Sequence, residues 1–206
     1  MTFGAIQKSS LDISEISFIN MIIATIVPNN FYASWEFVKC MFAIAPKYSI
    51  HYAQGPYLFM NRNRVFEVAK YKKDSILYID SDIIFKKEDV EKMERHLEKY
   101  DAVTGVCLHG LFPHDPMLWM KTDKDYHLTT TPDTFSQVGA AGGAFLGISA
   151  KVVEALPLNP FDNVFEDGNT HGEDISVCHR ITGLGYQLFC DPAIKVGHLR
   201  EEVIYP

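Results

Sequence analysis

The chain has 206 residues, a formal net charge of −7, 47% hydrophobic and 22% charged residues. That length holds one domain with a substantial core, and the composition is ordinary for a globular protein. The acidic balance argues against a nucleic-acid surface, and Asn20 and Thr25 break the most apolar stretch, residues 16–27, before it can span a membrane.

Residues 1–20 read as an arm ahead of the core. They contain Asp12 and Glu15 and lack the basic start and apolar run of a secretion signal. Residues 21–206 read as one α/β domain. Met21 to Val27 forms a buried strand, stopped by Pro28-Asn29-Asn30. Phe31 to Ala45 has helical spacing through Trp35, Val38 and Phe42. Tyr48 to Tyr52 is a short strand, broken by Gln54-Gly55-Pro56. Asn61 to Lys70 is helical, with Val65 and Ala69 on one face. Ile76-Leu77-Tyr78-Ile79 is a strand apolar on both faces, as in a parallel sheet. Lys86 to Lys99 is the clearest helix, with Val90, Met93 and Leu97 on one stripe. Ala102 to Cys107 is another strand.

The second half is less regular. His109 to Thr134 is rich in Pro, Asp, Thr and aromatics, and reads as a functional loop or as a plain surface excursion. Gly139 to Gly147 is dense in Gly and Ala ahead of Phe145-Leu146-Gly147-Ile148. Missing side chains let the backbone approach a ligand, or let a strand cross its neighbour. Ile175 to Leu184 is a helix that begins at Glu173-Asp174. Ile175, Cys178 and Ile181 lie near one face, as do Val177 and Leu184. Val196 lies in a short strand and His198 follows it. Strands alternating with helices imply a mostly parallel central sheet with right-handed crossovers, flanked by helices. Cys40, Cys107, Cys178 and Cys190 form no C-x-x-C pair, so reduced thiols in a cytoplasmic compartment are expected.

Asp80 and Asp82 carry the chemistry. They leave the carboxyl end of a buried strand, where parallel sheets bind ligands. Two acids spaced i, i+2 repel unless a cation neutralises them. Hard oxygen ligands suit Mg²⁺ or Mn²⁺, which favour phosphate oxygens. The same tripeptide also suits a strand end capped by a turn. Glu173 and Asp174 suit a helix start, where free N–H groups favour acids. They also suit a carboxylate aimed at a substrate hydroxyl. His198 is a surface residue or an imidazole for the same metal as Asp82.

The order Asp80-Ser81-Asp82, Gly142-Gly143, Glu173-Asp174, Gly185-Tyr186, Pro192, His198 resembles the GT-A glycosyltransferases, over roughly residues 21–200. Arg62-Asn63-Arg64 resembles a run in bacterial, phage and viral members. The compact size and the Pro28-Asn29-Asn30 turn are similar to a chlorella-virus glycosyltransferase domain implicated in capsid glycosylation. The resemblance implies a single GT-A (Rossmann-like) domain and a UDP-sugar donor. Asp82 and His198 would hold Mn²⁺ or Mg²⁺, and Asp80 would contact the metal or the nucleotide ribose. Thr25, Val27 and Pro28 would border the base, Arg62 would face the diphosphate, and Ser81, Gly142 and Gly143 would line the donor site. Glu173 and Asp174 would face the sugar or the hydroxyl of a glycan or glycoprotein acceptor. A viral origin would place the enzyme in the host cytoplasm.

The chain ends soon after His198, so either it lacks the usual C-terminal lid or further domains of a longer polypeptide follow. Two other classes compete. A haloacid-dehalogenase-like phosphotransferase also ends a strand in Asp-x-Asp, but near its N-terminus and followed by Gly or Thr/Val. Here Ile83-Ile84-Phe85 follows, far along the chain. A catalytically silent nucleotide- or carbohydrate-binding domain is the third class. Keeping both the Asp pair and His198 argues against it.

Overall fold

The computed structural model describes residues 20–28, 33–109, 114–122, 125–166 and 168–199. Residues 1–19 of the expected arm and Asn29-Asn30 of the first turn lie outside the described residues. The first half alternates as its apolar runs dictate: β1 (Met21–Pro28), α1 (Trp35–Ile44), β2 (Ser49–Gly55), α2 (Leu58–Lys72) and β3 (Ser75–Asp80). Then come β4 (Ile83–Ile84), α3 (Lys87–Leu97) and β5 (Ala102–Val106). The expected loop contains β6 (Leu118–Lys121) and β7 (Tyr126–Leu128), and β8 (Ser136–Val138), β9 (Ala140–Ala141) and β10 (Phe145–Ile148) follow. The chain continues through α4 (Ala150–Ala155), β11 (Phe165–Glu166), β12 (Asn169–Thr170), α5 (Glu173–Gly183), β13 (Leu188–Lys195) and β14 (Gly197–His198).

Seven strands form the central sheet in the order β2-β1-β3-β10-β5-β13-β8. The β1–β2, β1–β3 and β5–β13 pairs are parallel. β10 runs antiparallel between β3 and β5, and β8 runs antiparallel on β13. The sheet is thus mostly parallel, as expected. On one face Val65, Phe66 and Ala69 of α2, Val152 and Val153 of α4, and Val177, Cys178 and Ile181 of α5 pack on Ile22, Ile76 and Tyr78. On the other, Phe37 and Ile44 of α1 and Val90, Met93 and Leu97 of α3 pack on Ile23, Leu77 and Ile79. The alternation along β1 and β3 therefore feeds two cores in an α/β/α sandwich.

Four expectations change, the first being that β2 runs through Gln54 to Gly55, paired with Val27 and Pro28, where a break was expected. α1 begins at Trp35, because the Ser34 hydroxyl accepts the Phe37 N–H at 3.0 Å and caps the first turn. Its buried residues are Phe37 and Ile44, while Trp35 and Phe42 point outward, 63% and 67% exposed. The helix lies toward the open β2 edge of the sheet, so only part of its apolar surface is covered. Leu184 ends α5 exposed rather than joining Val177 in the core. Val196 lies between β13 and β14, and β13 runs through Pro192 because its register shifts between Asp191 and Lys195. A bulge tolerates the missing N–H there.

Candidate active site

Buried Arg62, on α2, organises the carboxyl end of the sheet. Its Nη2 donates to Asp80 Oδ2 at 2.9 Å and its Nη1 to the Gly143 carbonyl at 2.8 Å, while Nε lies 3.8 Å from Glu173 Oε1. Burial pulls the guanidinium pKa down, but Asp80, Glu173 and Asp174 outweigh it and leave it raised. The Asp80 carboxyl is held above its ordinary value, first by burial and then by Asp82 and Glu173, against the pull of Arg62. Among the described residues, Asp80 Oδ1 and Arg62 Nε are buried with no hydrogen-bond partner.

Neighbouring helix turns support this arginine. Asn61 Nδ2 donates to the Gly55 carbonyl at 2.9 Å, and Asn63 Nδ2 to Asp162 Oδ1 at 2.8 Å. Gly143 is required by packing: a Cβ there would lie 2.7 Å from Arg62 Cζ. A Cβ on Gly142 would meet the Met117 side chain at 2.9 Å. The close approach these two glycines permit is therefore to protein atoms.

Asp82 and His198 meet across a short ladder. β14 pairs antiparallel with β4, setting His198 opposite Ile83. His198 Nε2 lies 3.1 Å from Asp82 Oδ2, and its Nδ1 donates to the Leu108 carbonyl at 3.0 Å. Asp82 raises the imidazole pKa to about 10, helped by Cys107 and opposed by burial. The Leu108 carbonyl fixes the ring so that Nε2 faces the acid, a common support for a metal-ligating histidine. Asp80 is turned to Arg62 instead. Among the described residues, no group of three or more His, Cys, Asp and Glu side chains is gathered to hold a metal on its own.

The acidic pair opens α5, whose N-cap is Gly172. Glu173 reaches back to Arg62. Asp174 Oδ1 accepts the Ile175 N–H at 2.8 Å, so it satisfies one free donor of the first turn. Burial raises the Asp174 pKa first, and the Glu173 charge raises it further.

Thr25, Val27 and Pro28 lie at the carboxyl half of β1, where Ile26 is opposite Asp80 on β3. The Thr25 hydroxyl is buried without a partner among the described residues. Ser81 is buried, and its N–H donates to the Ile26 carbonyl at 3.2 Å. The fold thus brings Arg62, Asp80, Glu173 and Asp174 together, joins Asp82 to His198, and lays Thr25 to Pro28 alongside. A cleft of about 690 Å³ lined by Lys47, Tyr48, Lys72, Asp74 and Glu94 lies at the opposite, amino end of β1 to β3.

Sequence reading missed the rings that flank α5. Tyr126 lies 5.5 Å edge-on from His171, and His171 stacks 6.3 Å from His179. The signal was slight: His171 directly precedes Gly172-Glu173, and Tyr126 lies in the segment read as loop.

No protein-family model matches the chain, and no curated protein matches it in sequence. Solved structures do. A197 from STIV superposes with a TM-score of 0.67 at 14% identity, covering 88% of this chain and 86% of that one. GalNAc-T7, solved with UDP, GalNAc and Mn²⁺, superposes with a TM-score of 0.56 at 9% identity, covering 91% of this chain and 45% of that one. The fold is GT-A-like. Among the described residues, no helix is long and apolar enough to cross a membrane.

Proposed function

We propose that the chain is a metal-dependent glycosyltransferase that moves a sugar from a UDP-sugar to a hydroxyl of a glycan or glycoprotein acceptor. The observation that carries this reading is the gathering of Arg62, Asp80, Glu173 and Asp174 beside Asp82–His198 at one edge of a GT-A-like sheet.

The donor set fits a divalent cation. Asp82 supplies a carboxylate oxygen and His198 an imidazole nitrogen, and Asp80 Oδ1 is a buried oxygen in need of a partner. That mix suits Mn²⁺ or Mg²⁺. Asp82 and His198 would hold the ion, with Asp80 beside it. When bound, the ion supplies positive charge to the donor diphosphate. Arg62 adds a fixed cation, positioned by Asp80 and Gly143 before any ligand enters.

In the transfer, the acceptor hydroxyl oxygen bonds to the anomeric carbon as that carbon's bond to the diphosphate breaks. The hydroxyl proton passes to the Asp174 carboxylate, and UDP leaves with the electron pair. Burial beside Glu173 raises the affinity of Asp174 for a proton, which suits a general base. That role belongs to an inverting transfer. Glu173 holds Arg62 on one side and is available to a sugar hydroxyl on the other. Thr25, Val27 and Pro28 would border the uracil, with Ser81, Gly142 and Gly143 forming the floor beside Arg62.

Calorimetry of UDP with Mn²⁺ tests the reading. Wild-type protein should bind UDP in preference to GDP, ADP and CMP, and Asp82→Asn should lose that binding with the fold intact. Wild-type affinity in the variant would remove Asp82 from the site. Preference for another nucleotide would end the uridine assignment.

A further inference from the structure

Along α5 lies a group of half-buried rings outside the proposed donor site, of which Tyr126 also packs against the core. Tyr126 comes from β7, His171 from the residue after β12, and His179 from the outer side of α5. The Tyr126 hydroxyl is 3.3 Å from His179 Nδ1, and His179 Nε2 is 3.5 Å from Glu166 Oε2 on β11. Burial first, then Lys121, hold the His179 pKa below its ordinary value, against the pull of Glu166. A neutral imidazole offers both a donor and an acceptor. Among the described residues the His171 ring makes ring contacts but no hydrogen bond. Phe165, on the same hairpin, is 72% exposed.

Bonds that do not involve the rings anchor the β11–β12 hairpin to α5. His171 N–H donates to the Val164 carbonyl at 2.9 Å and closes the base of the β11–β12 hairpin. Ser176 Oγ accepts the Val164 N–H at 2.9 Å and donates to the His171 carbonyl at 3.0 Å, clamping that base to α5. Arg180 Nη1 donates to the Pro160 and Asp162 carbonyls, fixing the approach. The backbone is anchored, and the ring faces and polar edges are presented from a rigid support.

Flat apolar faces edged by planar polar groups are what a pyranose ring requires. Its C–H faces pack on rings, and its hydroxyls exchange hydrogen bonds with imidazole, phenol and carboxylate. His171 lies three positions before Asp174, in the segment that leads into α5. We propose that Tyr126, His171 and His179, with Glu166, form the subsite that seats the acceptor's sugar ring, so that the acceptor is recognised through a glycan and not through bare peptide. This rests on the transferase reading above.

The test uses the full chain with Mn²⁺ and its UDP-sugar donor. Acceptors are methyl pyranosides and an unglycosylated Ser/Thr peptide, and the variants are His171→Ala, Tyr126→Phe and Tyr126→Ala. Wild type should transfer to a pyranoside and not to the peptide. His171→Ala and Tyr126→Ala should raise the acceptor KM on the order of tenfold or more, and Tyr126→Phe by less, because it keeps the ring. UDP affinity, read by calorimetry, should stay within about twofold of wild type in all three, which separates lost acceptor contacts from misfolding. Unchanged acceptor KM in both alanine variants, or a preference for the peptide, overturns this inference while the donor reading stands. Failure of the wild type to bind UDP removes the donor reading, and this inference with it.

Discussion

Replacing Arg62 with Met tests the electrostatic frame of the site. The substitution keeps most of the buried stem and removes the cation. It deletes the bonds to Asp80 Oδ2 at 2.9 Å and to the Gly143 carbonyl at 2.8 Å, and the contact with Glu173 at 3.8 Å. Breaking a buried pair by removing one partner costs about 3–5 kcal/mol. The Asp80 and Glu173 side chains keep 20% and 23% of their exposure, so water relieves part of the loss. The low end, about 3 kcal/mol, corresponds to a fall in Tm of about 6–12 °C for a domain of this size. The pH dependence has a definite sign. The Asp80 pKa is already above its ordinary value, and losing Arg62 raises it further. A carboxyl with a raised folded pKa binds its proton more tightly when folded, so acid favours the folded state. The gap between variant and wild type should therefore narrow from pH 7 to about pH 4. Adding Asp80→Asn should cost less than the sum of the single changes, with a coupling of about 1–3 kcal/mol. Thermal melts and urea titrations of the four proteins measure this. A variant within about one degree of wild type, or a gap that widens in acid, would refute the reasoning.

Gly143→Ala places a Cβ 2.7 Å from Arg62 Cζ, so the guanidinium or the turn must shift. It should destabilise by about 1–3 kcal/mol in urea titrations and weaken UDP binding by calorimetry. Asp191→Asn should flatten the acid limb of a Tm–pH profile. Burial pushes the Asp191 carboxyl up, but His96, the Ala193 N–H and Lys92 outweigh it and hold the pKa below the ordinary value. The stability it supplies is present above the unfolded pKa and lost as pH falls through the folded one. Asp174→Asn keeps an acceptor for the Ile175 N–H and removes the base, so Tm should hold while transfer falls roughly 10²–10⁴-fold. Near-normal turnover would reduce Asp174 to a first-turn acid.

Continuous apolar runs gave away the strands that matter most. Ile76 to Ile79 and Ala102 to Val106 are buried on both faces, and the Val90, Met93, Leu97 stripe is buried as its spacing implies. The antiparallel insertion of β10 was not readable, because a strand buried on both faces has the same pattern in either direction. α4 spans too few turns to show a period. Pro192, known from the sequence only as part of the resembled motif order, is absorbed by a bulge in β13. At the site, strand-end logic located Asp80 and Asp82, but only the two-residue ladder between β4 and β14 brings His198 to Asp82. Burial of Arg62 was hidden because its partners come from β3, the Gly142-Gly143 turn and α5, far apart in sequence. The Tyr126–His171–His179 rings were hidden for the same reason.

The central claim is transfer from a UDP-sugar, and nucleotide release measures it most directly. The protein, a panel of nucleotide sugars, Mn²⁺ and a pyranoside acceptor are incubated together, and free nucleotide and glycosylated acceptor are quantified by mass spectrometry. The account predicts equal amounts of UDP and product from a UDP-sugar, with both lost in Asp82→Asn and on chelation of the metal. Inorganic phosphate in place of UDP, or no release from any donor, would contradict it.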